Sequence, residues 1–269
     1  MHWILSCLVT TSLCLPLSPA RATGQTRPTL LAEARRLADQ KPHEALVQLE
    51  QALRLDSLDY EANWRSAIAL VAIGQETPDS VKSSVRDSLY FTAEHLARRA
   101  VRVDSAHVEG HFALGMSLGR VALTKSKKDR IGYAKEIFRA ATRALAIAPE
   151  HDGAHHLLGL WHAEAMRISG FNRFMARNLL GGQILSQASW ANAIDHLETA
   201  VRIDPSRIFH RLDLGRVYLD RKRYAQARAE FNAIAELPNR VAQDVAYRRE
   251  AAALLKAIAD KEDPKDGST

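Results

Sequence analysis

The sequence predicts an all-α protein, a right-handed α-solenoid of irregular helical hairpins that ends in a capping helix. Two observations predict this fold. A frame of small and apolar residues with helical spacing recurs five times, and Leu-Gly pairs follow its turns at a fixed distance. The chain has 269 residues, of which 46% are hydrophobic and 25% charged, so it is long and apolar enough to bury a large core.

The recurring frame places a small or apolar residue, a second one four positions later, a third after three more, and a turn residue five positions further on. Because spacings of three and four put side chains on one face of a helix, each copy predicts the second helix of a hairpin and the turn that ends it. The copies are Ala45, Leu49, Ala52 and Ser57; Ala93, Ala97, Ala100 and Ser105; Ile137, Ala141, Ala144 and Pro149; Ala193, Leu197, Ala200 and Pro205; and, in degraded form, Ala227, Phe231, Ile234 and Asn239.

Leu-Gly pairs lie nine residues after three of these turns, and they mark the first helix of the next hairpin. Glycine there lets the partner helix approach closely. The pairs are Leu114 with Gly115, Leu158 with Gly159, and Leu214 with Gly215, while Ser66 and Ala67 hold the place after Ser57.

The frame and the pairs together predict the helices in order. The last predicted helix carries Val241, Val245, Ala252, Leu255 and Ile258 on one side and charged residues elsewhere, as expected of a capping helix. Residues 261–269 are charged and predicted to be a disordered tail. The predicted helices are 29–40, 43–55, 59–74, 80–104, 107–124, 130–148, 152–168, 189–204, 207–221, 223–236 and 241–260.

This pattern resembles the tetratricopeptide repeat (TPR), whose hairpin carries Leu-Gly in its first helix, Ala in its second and Pro at the closing turn. The resemblance covers residues 29–239. Successive turn positions are 48, 44, 56 and 34 residues apart, so only the last unit has the period of the family. We expect the extra residues between the two helices of a unit, where added loop length costs little.

Residues 1–22 are predicted to be a signal peptide, so the mature protein is expected to be exported, either periplasmic or secreted. An apolar stretch too short to cross a bilayer leads into Ala-Arg-Ala at 20–22, the small-x-small pattern that signal peptidases cut. Both cysteines, Cys7 and Cys14, lie inside this segment, so we expect no disulfide in the mature chain. The repeat domain is then 23–260, and no later stretch is apolar enough to be a transmembrane segment.

The amino-acid sequence of the irregular units resembles that of the regulator of microtubule dynamics family. HLLGLW at 156–161 is followed by an insertion with Gly-Gly at 181–182 and then by SWANAIDHL at 189–197. This resemblance covers about residues 60–255 and implies an interaction scaffold. Eukaryotic members are linked to microtubules in the cytoplasm or on organelle surfaces, whereas this sequence begins with a predicted export signal, so the microtubule role is not carried over.

No catalytic signature occurs: there is no phosphate-binding Gly-Lys-Ser/Thr loop, paired-glycine dinucleotide turn, Gly-x-Ser-x-Gly elbow or His-Glu-x-x-His. We therefore expect no enzyme and no cofactor. Removal of Arg21 with the signal peptide leaves 36 basic and 31 acidic residues, a charge of +5 that is mild and dispersed, so we expect no nucleic-acid partner.

Four histidines with i, i+4 spacing are weak candidates for a metal site. They are His107 with His111, and His151 with His155, at equivalent places in neighbouring units. Such a pair can bind a metal ion. No cysteine or carboxylate in the motif supports this, and the favoured interpretation is that His111 and His155 replace the Trp of an interior repeat position.

The first helices of the hairpins are expected to line a concave, largely apolar groove that binds a partner. Such a lining suits a peptide or helix of a partner protein, or a lipid-like ligand; the alternative is that the chain fills its own groove. The predicted lining is Trp64, Ile68, Val71, Phe112, Met116, His156, Leu160, Phe209, Leu212 and Arg216.

An insertion over about 170–188 supplies a candidate cover for the groove. It is amphipathic, which also suits contact with a ligand, a partner or a membrane surface. Its apolar residues are Phe171, Phe174, Met175, Leu179 and Leu180. A second feature, the basic group Lys125, Lys127, Lys128 and Arg130, is expected in a solvated inter-helix loop.

The sequence therefore predicts a non-enzymatic scaffold that mediates protein–protein interaction in the cell envelope. The alternative is a carrier that holds a lipid or another apolar ligand in the concave groove.

Overall fold

The computed structural model describes residues 25–170 and 182–264. Within these residues the chain forms eleven α-helices, one 3-10 helix and no strand. The helices are α1 (Arg27–Leu37), α2 (Pro42–Leu55), α3 (Tyr60–Gly74), α4 (Ser84–Val103), α5 (Val108–Leu123), α6 (Lys127–Ile147), α7 (Asp152–Arg167), α8 (Trp190–Ile203), α9 (Ile208–Asp220), α10 (Tyr224–Glu236) and α11 (Asp244–Ala257), with the 3-10 helix at Gln183–Gln187.

Consecutive helices pack into five hairpins, which stack one on the next. The hairpins are α1–α2, α3–α4, α5–α6, α7–α8 and α9–α10, and α11 follows the last. First helices of neighbouring hairpins also touch, α3 with α5, α5 with α7 and α7 with α9. Each hairpin thus buries its apolar faces against its neighbours, which confirms the predicted all-α solenoid.

The recurring frame lies in the core of this stack. Every helical member of its five copies is buried, and Ile137 is the most exposed at 9%. The reason is the narrow face set by spacings of three and four, which small residues let approach the partner helix. The degraded fifth copy follows the same rule, since Phe231 is 2% exposed.

The glycines of the Leu-Gly pairs lie where helices come closest. A Cβ atom at Gly159 would lie 2.7 Å from Cγ of Leu197, and one at Gly215 would lie 2.3 Å from Cε1 of Phe231. Both contacts join the two helices of one hairpin. No larger side chain fits at these positions without a shift of the packed neighbour.

Each turn between hairpins is tied to the following helix by a side chain six residues later. Asn63 Nδ2 donates to the carbonyl oxygen of Ser57 at 3.0 Å, and Arg211 Nε donates to that of Pro205 at 3.1 Å. His111 and His155 use Nε2 for the same bond, to Ser105 at 3.0 Å and Pro149 at 2.9 Å. The interior repeat position therefore satisfies an exposed turn carbonyl in four successive units.

Serine or aspartate side chains fix where several helices begin. Asp59, Ser83, Ser126 and Ser189 each accept a hydrogen bond from a backbone N–H of the first turn. The cap at Ser126 starts α6 at Lys127, three residues earlier than predicted. Lys127 and Lys128 therefore belong to a helix and not to a loop.

The final helix differs in the face that it buries. Ala251 and Ile258 are buried, and Tyr247 packs against the same core cluster. Val245 and Ala252, both predicted on the packed side, are exposed, Val245 to 51%. The difference arises because α11 packs on both α9 and α10, which rotates the buried face away from Val245.

Several predicted segments lie outside the described residues. These are the signal peptide, the insertion residues Phe171, Phe174, Met175, Leu179 and Leu180, and the last five residues of the tail. The described end of the insertion packs into the core, where Leu185 is buried in a cluster with Trp161. Over the ranges 25–170 and 182–264, every helix is too short or too polar to cross a membrane.

Candidate interaction site on the inner face

We use the term inner face for the surface formed by α3, α5, α7 and α9, the first helices that carry the predicted groove residues. Seven of these ten residues are partly buried: Trp64, Ile68, Phe112, Met116, Leu160, Phe209 and Arg216. Val71 and Leu212 are each only 1% exposed and belong to the hydrophobic core, and His156 is 8% exposed. These three are covered because a first helix packs both on its own hairpin and on the next.

Helix α11 crosses the inner face. At its start, Gln243 Nε2 donates to the carbonyl oxygen of Ala72 on α3 at 3.0 Å. One turn later, Tyr247 lies within electrostatic reach of Arg120 on α5 and Arg216 on α9. Glu250 then accepts from Nε of Arg216 at 3.1 Å. The chain's own last helix thus fills part of the predicted groove.

The two ends of the repeat stack touch as a consequence. The backbone N–H of Ala242 donates to the carbonyl oxygen of Asp39 in the α1–α2 turn at 3.0 Å. Gln40 donates to the carbonyl oxygen of Arg240 in the same region. The segment before α11 therefore closes the stack against its first hairpin.

A chain of contacting basic and acidic side chains, with two imidazoles at its centre, joins α7, α9 and α11. His210 Nε2–H donates to Asp152 at 2.9 Å, and His156 Nε2–H lies 3.1 Å from Asp213 Oδ2. The two imidazoles meet through their Nδ1 atoms at 3.0 Å. The members of this chain of contacts, which we call the histidine–aspartate network, are in order Arg207, Asp152, His210, His156, Asp213, Arg216 and Glu250.

Burial and charge pairing set the protonation of the network. Burial lowers the pKa of His210 to about 4, against the hydrogen bond to Asp152, which raises it. Burial alone would raise the pKa of Asp213, but the hydrogen bond with His156 and the charge of Arg216 lower it to about 2. The pKa of Asp152 is likewise lowered, by His210 and Arg207 against burial. Both carboxylates are therefore ionised at neutral pH, and burial opposes the formation of a positively charged imidazolium at His210.

The four candidate metal ligands each have another partner. His107 pairs with Asp104 at 2.7 Å, and His151 accepts from the N–H of Ala154 at the start of α7. His111 and His155 bind turn carbonyls. In the described part of the chain, no three His, Cys, Asp or Glu side chains gather closely enough to hold a metal ion.

A second histidine group lies inside the α7–α8 hairpin. His155 and His196 meet through Nδ1 atoms at 2.9 Å, and His162 stacks on His196 with ring centroids 5.8 Å apart. Nδ1 of His162 is buried without a hydrogen-bond partner. Burial, reinforced by the charge of His196, lowers the pKa of His162 to about 4, so this ring stays neutral at pH 7.

Comparison with known families decides the identity of the repeat stack. Residues 30–259 match the family described as regulator of microtubule dynamics protein 1-3. The chain belongs to the regulator of microtubule dynamics family. The resemblance inferred from the HLLGLW segment and the glycine-bearing insertion is thereby confirmed.

Known proteins resemble this family member in sequence or in fold. Regulator of microtubule dynamics protein 1 of Bos taurus is 24% identical over 233 residues, which are 86% of this chain and 72% of that protein. A thermophilic TPR protein of Thermus thermophilus superposes with a TM-score of 0.61 at 19% identity, over 86% of this chain and all of that one. The human IFIT1 dimer with PPP-AAAA gives 0.52 at 18%, over 91% of this chain and 58% of that chain. At these identities the structures show the fold alone, a TPR-like solenoid.

Sequence reasoning missed the partners that organise the inner face of this family member. Asp152, His210, Asp213 and Glu250 were not singled out, although Asp152 with His156 and His210 with Asp213 have spacings of four and three. Two such pairs on neighbouring first helices were the available signal. What the sequence does not contain is the register that brings these two helices together.

Proposed function

We propose that the protein is a non-enzymatic interaction scaffold that binds a helix or an apolar peptide segment of a partner protein on its inner face. Membership of the family and the TPR-like fold support a scaffold. Repeat stacks of this kind bind through extended surfaces built from equivalent positions of successive units. The expectation that the protein is not an enzyme is part of this proposal.

A row of partly buried apolar side chains carries the proposal. Seven and eleven residues after the turn residue, α3 presents Trp64 and Ile68, and α5 presents Phe112 and Met116. Leu160 holds the second position on α7. Residues four apart lie on one helix face, so the row continues from hairpin to hairpin. An amphipathic helix is recognised by this kind of surface.

Site-specific photocrosslinking tests this face. A benzoylphenylalanine at Met116 should capture a partner in the source cell, and one at Val85, which is 72% exposed on α4, should not. Ile68→Glu should reduce the capture from position 116, because a charge in an apolar contact is costly. Val85→Glu is the matched control. Equal capture from both positions, with native circular dichroism, would contradict the proposal.

We also propose that the scaffold works outside the cytoplasm, in the periplasm or as a secreted protein. The apolar segment before Ala-Arg-Ala at 20–22 supports export. Cell fractionation with N-terminal sequencing tests it. A mature chain that begins at residue 23 in the exported fraction is expected, and an intact chain with Met1 in the cytosol would overturn export.

The carrier alternative makes a different prediction for the same face. A lipid or another apolar molecule held there would remain with the purified protein. Native mass spectrometry would show its mass, and denaturation would release it. A protein mass with no added species, together with crosslinks from Met116, favours the scaffold.

A further inference from the structure

The net positive charge of the chain is concentrated on one helix and the residues just before it, and not dispersed as the sequence suggested. From residue 125 to the end of α6 there are seven basic and two acidic side chains, a charge of +5 out of +6 for the whole sequence. Helix α6 is the second helix of the third hairpin, so this charge lies away from the inner face. One surface therefore dominates the long-range electrostatics of the protein.

The carboxylates of this helix are already engaged, whereas its cations have no carboxylate partner in the described part of the chain. Among these cations, Arg130 donates to the carbonyl oxygens of Leu123 and Lys125. Glu136 accepts from Arg98 of α4 at 2.7 Å, and Asp129 accepts from the capping residue Ser126 at 2.7 Å. In the part of the chain that the structure describes, Lys135 and Arg139 have no carboxylate within ion-pair distance. The same holds for Lys128 and Arg143, so the positive charge is left for an external anion. 

These four cations form a row along one side of α6. Lys128, Lys135, Arg139 and Arg143 are separated by seven, four and four residues, spacings that keep them on one helical face. At about 1.5 Å per residue the row is roughly 22 Å long, and its last three members are about 6 Å apart. Side chains on the same side of an extended strand repeat every ~6.6 Å. The last three cations therefore match carboxylates at alternate positions of an extended peptide.

Two clefts lie beside the row; the first has an apolar floor, and the second is lined mainly by charged side chains. One, of about 430 Å³, is lined by Val101, Leu114 and Ala140 together with Arg139 and Arg143. The other, of about 550 Å³, is lined by Ile131 and Tyr133 together with Lys128 and Lys135. Glu136 borders both, so they follow each other along the helix.

We propose that the cleft along α6 binds an extended acidic segment of a partner protein, with Asp or Glu at alternate positions and aliphatic residues between them. The carboxylates would pair with the cation row, and the aliphatic residues would lie over the floor at Val101, Leu114 and Ala140. A flat lipid headgroup surface does not fill a cleft, and a uniformly charged nucleic acid leaves its apolar floor without a partner. The site lies on a different surface from the inner face, so it extends the proposed scaffold function.

Peptide binding to the full chain tests the proposal. A fluorescein-labelled octapeptide of alternating Glu and Val is the probe, and one with four Glu followed by four Val is its isomeric control. The alternating peptide should bind more tightly and lose affinity as salt rises. Arg139→Glu and Arg143→Glu should each weaken it by about tenfold. Arg54→Glu, an exposed cation on α2, should leave the Kd unchanged.

Each contrary outcome identifies a different error. Equal binding of the two peptides would mean attraction by charge alone and would overturn the site. The site would also be overturned if the alternating peptide does not bind while a dT10 oligonucleotide does. The same holds if vesicles with anionic phospholipid bind and the peptide does not. Ile68→Glu should have no effect on peptide binding, so failure of this site and failure of the inner-face proposal are separable.

Discussion

His156 and His210 face each other across the α7–α9 contact with their Nδ1 atoms 3.0 Å apart. Both Nε2 atoms point at carboxylates, those of Asp213 and Asp152, so both carry a proton there. A single further proton fits between the Nδ1 atoms, as a donor from one ring to the other. A second would set two N–H groups against each other, which adds to burial as a reason why His210 resists protonation.

Stability should fall as the pH drops from about 6.5 to about 4, in part because of His210. Its pKa is about 4 in the folded chain, against 6.5 in the unfolded one, so below pH 6.5 the unfolded state binds more protons. The full effect is on the order of 3 kcal/mol. Urea unfolding of wild type and His210→Gln at pH 7 and 4.5 measures it. The variant should lose less stability between these pH values.

Val85→Gln is the control for this measurement, because Val85 is exposed on α4 and has no titratable side chain. It should leave the pH dependence of the wild type unaltered. The same fall in unfolding free energy in wild type and His210→Gln would show that His210 titrates as freely in the folded chain as in the unfolded one.

Gly215→Ala should destabilise the protein, and Gly119→Ala should not. A Cβ at Gly215 would lie 2.3 Å from the ring of Phe231, whereas one at Gly119 meets nothing within 4 Å. Overpacking costs about 1–3 kcal/mol, while replacing a free helical glycine gains about 0.5–1 kcal/mol. Chemical denaturation of both variants gives the comparison. A similar gain in the free energy of unfolding for both variants would mean that α9 and α10 are not closely packed.

The hairpins could be predicted because the residues that determine each of them lie within one short stretch of sequence. Ala193, Leu197 and Ala200 are buried together since helix geometry alone places them on one face. Gly159 opposite Leu197 follows from the same local pattern. Family membership followed from the order of these stretches along the chain.

The site depends on relations that no local pattern contains. His156 and His210 are 54 positions apart, and Gln243 meets Ala72 across 171 positions. The first contact depends on the register between two neighbouring hairpins, and the second depends on the curvature accumulated over several hairpins of unequal length. The sequence therefore predicted residues such as Met116 on the inner face, but not that α11 crosses it.

Asn63→Leu should destabilise the chain, while Asn63→His should be tolerated. Asn63 is fully buried and donates to the carbonyl oxygens of Ser57 and Asp59. Leucine leaves both without this donor, which costs about 1–3 kcal/mol. Histidine makes the equivalent bond to Ser105 from position 111. Thermal unfolding ranks the variants, and a His variant as unstable as the Leu variant would show that the units are not equivalent at this turn.

A disulfide between the two ends of the stack should form and stabilise the protein. The N–H of Ala242 lies 3.0 Å from the carbonyl oxygen of Asp39, and both side chains are exposed. Asp39→Cys with Ala242→Cys, in a chain with Cys7→Ser and Cys14→Ser, should oxidise in air, as thiol counting would show. Closing so long a loop stabilises by about 2–5 kcal/mol, because the crosslink restricts the unfolded chain. The two single-cysteine variants are controls for the substitutions. A double variant that stays reduced would contradict the close approach of the segment before α11 to the first hairpin.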